Sequence, residues 1–206
     1  LGPYLEEYNF MQHCLSRSDG DLKTYNELVK RFYKLSVSRG MHNLLLRADQ
    51  CSPWDAEEIS KEIEGKSVTD LGCCDGTFTV FYALNHPDKQ LVGVDICQEA
   101  VDEAEKKAQE YGTKNVGFAC ADVMSPEADP YFSADTLIAQ GTVYQFLPHL
   151  LVDNKAPFLR TVKPKVRSGT KIILSQFIPR QSDQFRPAQI DGYELLRYDT
   201  RTVHDP

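Results

Sequence analysis

The sequence has no apolar stretch near the ~20 residues that a membrane-spanning helix needs, so no membrane partner is expected. No signal peptide is visible, and the first residue is Leu1. Long runs of Lys or Arg are also missing, and the formal net charge is -7. A surface that grips nucleic acid needs a basic stripe for the phosphates, so nucleic acid is not expected as a partner. The one modest basic cluster, Arg160 to Arg167 with Lys163 and Lys165, reads as a solvated helix end. Six cysteines occur, but no Cys-x-x-Cys pair, and Cys73 and Cys74 are adjacent. That is not a secreted disulfide framework, and it points to a reducing, cytoplasmic setting. No histidine stands at metal-ligand spacing from Cys73, Cys74, Cys97 and Cys120 at the strand ends, which read as small buried apolar residues, so no metal site is expected. Internal repeats and low-complexity tracts are absent. What remains is an ordinary soluble composition, 41% hydrophobic and 26% charged over 206 residues. That length suits one α/β domain with a small extension, and such a domain buries roughly 70% of its unfolded surface.

The first 65 residues read as a helical extension. Tyr4, Tyr8, Met11 and Leu15 recur at helical spacing, and so do Leu22, Tyr25, Val29 and Phe32, with a polar break between the two stripes. A third helix is punctuated by Ser52 as a cap, Pro53 at its first position and Gly65 as a stop. The aromatic residues Tyr25, Phe32, Tyr33 and Trp54 suit both packing against the next domain and a lid over a pocket. From residue 66 to 206 the pattern changes to alternation. SVTDLG reads as a buried strand and TFTVFYALN as a helix. QLVGVDI is a second strand, followed by a helix carrying Val101, Ala104, Ala108 and Tyr111 that ends at Gly112. NVGFACADV, ADTLIAQG and TKIILSQF are three further strands, with a helix expected within Ala156 to Val162. Strands alternating with helices specify a doubly wound, mostly parallel α/β sheet covered on both faces. Ligands of such sheets bind outside the carboxyl ends of the strands.

Four strand ends therefore matter. The first runs Asp70-Leu71-Gly72-Cys73-Cys74-Asp75-Gly76-Thr77, a glycine-containing turn into a helix N-terminus, where a ligand can approach the backbone and its unpaired N–H groups. Dinucleotide folds require Gly-x-Gly-x-x-Gly there. This chain has Gly72 and Gly76 but no glycine at position 74, which disfavours a nicotinamide-dependent oxidoreductase. The second strand ends in Asp95, whose carboxylate can accept hydrogen bonds from both hydroxyls of a ribose. Asp122 at the third can accept from an exocyclic amine, while Val123 and Ile96 offer apolar faces. Gln140 at the fourth faces the same crevice.

VTDLGCCDGT, VGVDI, ACADV and DTLIAQG, in that order, resemble the successive motifs of class I S-adenosylmethionine-dependent methyltransferases. The resemblance spans roughly residues 66 to 177 and implies a Rossmann-like methyltransferase fold. It further implies that S-adenosylmethionine is the cofactor and S-adenosylhomocysteine the product. Asp70 and the loop of Gly72, Cys73 and Gly76 would hold the methionine portion. Asp95 would hold the ribose, Asp122 with Val123 and Ile96 the adenine, and Gln140 would line the pocket near the sulfonium. The chain departs from the family where the middle glycine of Gly-x-Gly-x-Gly is replaced by Cys74. If the backbone there needs a positive φ, cysteine is penalised by about 1–2 kcal/mol.

No catalytic dyad is evident. Tyr144 and His149, beyond the fourth strand, are the candidates for a general base toward an acceptor, and His42 is read as a loop histidine. The leading functional reading is transfer of a methyl group to oxygen, nitrogen or carbon of a small molecule, with a protein acceptor open. No Asn/Asp-Pro-Pro-Tyr follows the fourth strand, which disfavours amide or amino nitrogen acceptors. The alternative is a degenerate methyltransferase-fold domain that acts as a binding or interaction module. Only about thirty residues follow the fifth strand, so the C-terminal strand is expected to be incomplete.

Overall fold

The computed structural model describes residues 53–140 and 162–175. Five strands, β1 (Ser67–Leu71), β2 (Gln90–Asp95), β3 (Val116–Cys120), β4 (Thr136–Gln140) and β5 (Lys171–Ser175), form one sheet in the order β3-β2-β1-β4-β5. Every pairing is parallel. The order reverses between β1 and β4, which makes their carboxyl ends the switch point of a doubly wound fold. Among the described residues, three complete α-helices accompany the strands: α1 (Pro53–Lys61), α2 (Thr77–Asn85) and α3 (Gln98–Glu110).

The sheet is covered on both faces, and residue parity within each strand decides which side chain goes where. Leu71, Val94, Leu137 and Ala139 point to one face and pack with Phe132, Ala128 and Val162. Val68, Leu91 and Ile138 point to the other face and meet Ala56, Ile59 and Ile63 around α1 with Tyr82 and Ala83 of α2. Near-continuous burial along β1 and β4 is what a central parallel strand requires.

α1 begins at Pro53 as its sequence punctuation implied but ends at Lys61, before the expected stop at Gly65, which adopts φ 71° in the link to β1. Its apolar face is part of the sheet's own core, although the sequence placed it in the extension. The α3 stripe is Ala100, Val101, Ala104 and Ala108. Tyr111, expected on that stripe, is 63% exposed, because the helix has ended at Glu110 and Tyr111 is its cap. Gly112 then closes the helix through both bonds of a Schellman motif, Gly112 N to Gln109 O and Thr113 N to Ala108 O. The stretch Pro126–Ser133 forms a 3-10 helix that the sequence reading did not anticipate.

The N-terminal rim of the sheet is braced by side chains. Asp135 Oδ2 accepts from the N–H groups of Lys66 and Ser67 and from the Ser67 hydroxyl, at 2.7–3.0 Å. The Asn115 amide donates to the carbonyls of Ala83, His86 and Lys89. Lys171 bridges Glu62 and Glu64 at 2.8 and 2.7 Å. In the basic cluster, Arg167 is paired with Asp135, and Lys165 pairs with Asp129 at 2.7 Å while lying over the Phe132 ring. The two N-terminal helices, most of the helix within Ala156 to Val162, His42, Tyr144, His149 and the C-terminal tail lie outside the described residues.

Candidate active site

The opposite rim carries the residues singled out at the strand ends. The turn after β1 is shaped by alternating positive φ values, 76° at Gly72, 50° at Cys74 and 68° at Gly76. The condition attached to Cys74 is therefore met: a non-glycine residue occupies the left-handed region, at a cost of about 1–2 kcal/mol. Tight backbone contacts hold the turn in place. The N–H groups of Gly72 and Cys73 both donate to Val94 O, and Gly76 N donates to Cys73 O. Gly93 lets β2 approach this turn, since a Cβ there would lie 2.9 Å from Cys73 Sγ and 2.6 Å from the Phe118 ring.

Asp95, the last residue of β2, is the joint between the turn and α3. Its Oδ2 accepts from Cys74 N and its Oδ1 from Cys97 N, both at 2.9 Å. Burial pushes its carboxyl above the usual range, although the N–H groups of Cys97, Cys74 and Ile96 oppose the shift. A carboxylate offers about four acceptor positions, so backbone donors and a vicinal diol can share this one.

Asp70 is 5% exposed, and burial raises its pKa to about 6, with the Thr79 hydrogen bond opposing and the Asp95 charge reinforcing. The Thr79 hydroxyl donates to its Oδ2 at 2.6 Å. At the end of β4, Gln140 Oε1 accepts from the Tyr82 hydroxyl at 2.8 Å. Sequence reasoning missed both α2 hydroxyls. Their helical spacing on the buried side of TFTVFYALN was the available signal.

Asp75, inside the turn, is 4% exposed and ion-paired to Lys107 of α3 at 2.6 Å. Burial pushes its carboxyl up, but Lys107 and Thr77 outweigh burial and hold it below the ordinary carboxylate value. At the end of β3, Asp122 Oδ1 accepts from Met124 N at 2.9 Å, which closes a local turn. Val123 is 6% exposed and packs with Leu71, Val94 and Phe132, whereas Ile96 is half-buried.

Burial pushes the Cys73 and Cys74 thiols well above their ordinary value and the Cys97 thiol up to about 11. Thiols held protonated are poor nucleophiles and poor metal ligands. Among the described residues, no group of three or more His, Cys, Asp or Glu is placed to hold a metal ion. No described helix is long and apolar enough to cross a membrane.

A family model described as a methyltransferase domain matches residues 63–192. The chain belongs to this methyltransferase family. The motif resemblance to class I S-adenosylmethionine-dependent methyltransferases thus holds for the family and for the Rossmann-like fold. The methyltransferase domain is similar to a ribosomal protein L11 methyltransferase of Chromobacterium violaceum, 27% identical over 148 residues, covering 70% of this chain and 42% of that protein. A tRNA (guanine-N(7)-)-methyltransferase of Synechocystis is 29% identical over 96 residues, covering 47% of this chain and 44% of the relative. Among solved structures, a methyltransferase of Thiobacillus denitrificans in complex with S-adenosyl-L-homocysteine shares the fold. Its TM-score is 0.50 at 18% identity, covering 68% of this chain and 53% of that one. The chain spans less than half the length of the curated relatives it matches. Their names include a ribosomal protein and a tRNA, so family membership leaves the acceptor class open.

Proposed function

We propose that this chain is an S-adenosylmethionine-dependent methyltransferase acting on a small-molecule acceptor. The observation that carries the cofactor reading is Asp95. Two backbone N–H groups, from the turn and from the start of α3, fix its carboxylate at the end of β2, beside the switch point. The donor set suits the cofactor. Asp70 offers a buried negative charge for the ammonium of the methionine portion, with the Gly72, Cys73 and Gly76 turn beside it. Asp95 offers acceptors for the ribose diol. Ile96 offers an apolar wall for adenine, with Asp122 and Val123 at the neighbouring strand end. Gln140 lines the side toward the sulfonium.

When bound, the cofactor supplies an activated methyl group, and the residues of this chain align it and exclude water. Tyr144 and His149 remain the proposed candidates for accepting a proton from the acceptor. The net charge of -7 and the ion-paired state of Lys165 and Arg167 favour an uncharged or cationic small molecule over nucleic acid. A degenerate binding module is the second reading, and the left-handed backbone of Cys74 favours it.

Calorimetric titration is the first test. S-adenosylmethionine and S-adenosylhomocysteine are expected to bind and NADH is not; a folded sample giving no heat with either adenosyl ligand leaves only the binding-module reading. The acceptor class is then read by incubating the protein with methyl-labelled cofactor and separate metabolite, protein and RNA fractions of a cell extract. Label is expected in the metabolite fraction, and label confined to protein or RNA overturns the small-molecule assignment.

A further inference from the structure

Two hydroxyls on one helix each reach a different site residue. Thr79 and Tyr82 stand three residues apart on α2, so they share a face, and both are fully buried at 0% exposure. Thr79 Oγ1 donates to Asp70 at the end of β1, and Tyr82 OH donates to Gln140 at the end of β4. β1 and β4 are the neighbouring strands that flank the switch point. The Tyr82 ring is locked into the core with Val68, Ala83 and Ile138, so its hydroxyl has little freedom. Thr79 is β-branched and fully buried, which narrows the positions its hydroxyl can take.

Because Gly76 of the turn caps the start of α2, a single rigid element fixes the turn, a carboxylate and an amide together. We propose that Thr79 and Tyr82 are positioning residues for the cofactor site: Thr79 holds Asp70 ionised and aimed at the cofactor's ammonium, and Tyr82 sets the orientation of the Gln140 amide. The inference rests on the cofactor reading above.

Among the described residues, the charged and titratable groups that bear on Asp70 are Asp95 at the end of β2 and the Cys73 thiol in the turn, and neither attracts its negative charge. Burial and, secondarily, the Asp95 charge raise the Asp70 carboxyl, and the Thr79 hydroxyl opposes both. Losing it raises the pH at which Asp70 ionises, whereas a hydroxyl that only fills space has no such signature. Tyr82, bonded to a neutral amide, affects orientation without affecting titration.

The test is S-adenosylhomocysteine titrated calorimetrically into the full chain from about pH 5.5 to 8, with thermal melts to verify folding of each variant. Thr79→Val is expected to weaken binding about tenfold at pH 7. It should also raise the pH midpoint of binding by about one unit, while Thr79→Ser retains both values. Tyr82→Phe should weaken binding several-fold without moving the midpoint, and should add nothing when Gln140 is already leucine. A wild-type midpoint in Thr79→Val overturns the role of Thr79. An undiminished Tyr82→Phe effect in the Gln140→Leu background overturns the role of Tyr82. If Thr79→Val does not fold, the carboxyl-carbon NMR titration of Asp70 in Thr79→Ala replaces it, with the same upward shift expected. Wild-type protein that binds no S-adenosylhomocysteine overturns the cofactor reading itself, and the proposal with it.

Discussion

Cys74 holds a φ of 50° while its N–H donates to Asp95, so the strain at one residue is fixed by a hydrogen bond made by that same residue. Cys74→Gly relieves about 1–2 kcal/mol of steric cost, partly offset by the larger freedom that glycine loses on folding. The expected outcome is stability in urea that is unchanged or about 1 kcal/mol higher, with cofactor affinity at least equal. Asp95→Ala acts in two ways. It removes charge-assisted hydrogen bonds worth roughly 1.5–3 kcal/mol to the ligand, so calorimetry should read about 10- to 100-fold weaker binding. It also strands two backbone N–H groups, so the melting temperature should fall in the same variant. Asp70 gives a pH signature. It is protonated in the folded chain up to about pH 6 and releases its proton near 3.8 when unfolded. Between those values the folded state holds the extra proton. The resulting stabilisation is complete below the unfolded value and is lost as pH rises through about 6, a change on the order of 2–3 kcal/mol. Asp70→Asn keeps an acceptor for Thr79 and removes the titration. The downward slope of thermal melts from pH 4 to 7 should therefore be reduced, with a higher melting temperature at pH 7 than wild type. The strand-end carboxylates were legible in the sequence because an ionisable group closing an apolar run stands out. Thr79 and Tyr82 were not, because a hydroxyl on a helix interior has the same pattern whether it packs or positions.

At the scale of elements, α2 runs over the residues Thr77–Asn85 read from the sequence, and all five strands fall inside the segments assigned to them. Those assignments rested on period and on glycine punctuation, and burial in a parallel sheet enforces both. The 3-10 helix at Pro126–Ser133 escaped because Pro126 and Pro130 interrupt any 3.6-residue period, although Ala128 and Phe132 are buried core residues. Tyr111 was misplaced for a related reason: periodicity continues past a cap, whereas the helix does not. The packing of β2 against β3 yields a further test. A methyl group at Gly93 would lie 2.6 Å from the Phe118 ring and 2.9 Å from Cys73 Sγ. Gly93→Ala is therefore expected to cost about 1–3 kcal/mol by overpacking, read as a lower urea midpoint with the slope unchanged. Because Cys73 belongs to the turn, the same variant should also weaken cofactor binding.

On the scale of the molecule, the two rims of the sheet divide the work. The rim where the strands begin is tied by Asp135, Asn115 and Lys171, and the rim where they end carries the proposed cofactor site. Asp135→Ala removes the shared acceptor of Lys66, Ser67 and Arg167, and is expected to cost about 1–3 kcal/mol of stability in thermal melts. Cofactor affinity at a temperature where the variant is folded should not change. Covered faces and parallel order could be read from strand–helix alternation alone. The side-chain bracing could not, because its partners are distant in the chain: Asp135 and Ser67 are 68 residues apart, and Lys171 and Glu62 are 109 apart. Long-range ties of this kind make the starting rim a foundation whose integrity does not depend on what the other end recognises. Substitutions confined to the strand ends therefore leave the Asp135, Asn115 and Lys171 ties in place, so the starting rim should keep its bracing in variants altered at the other end.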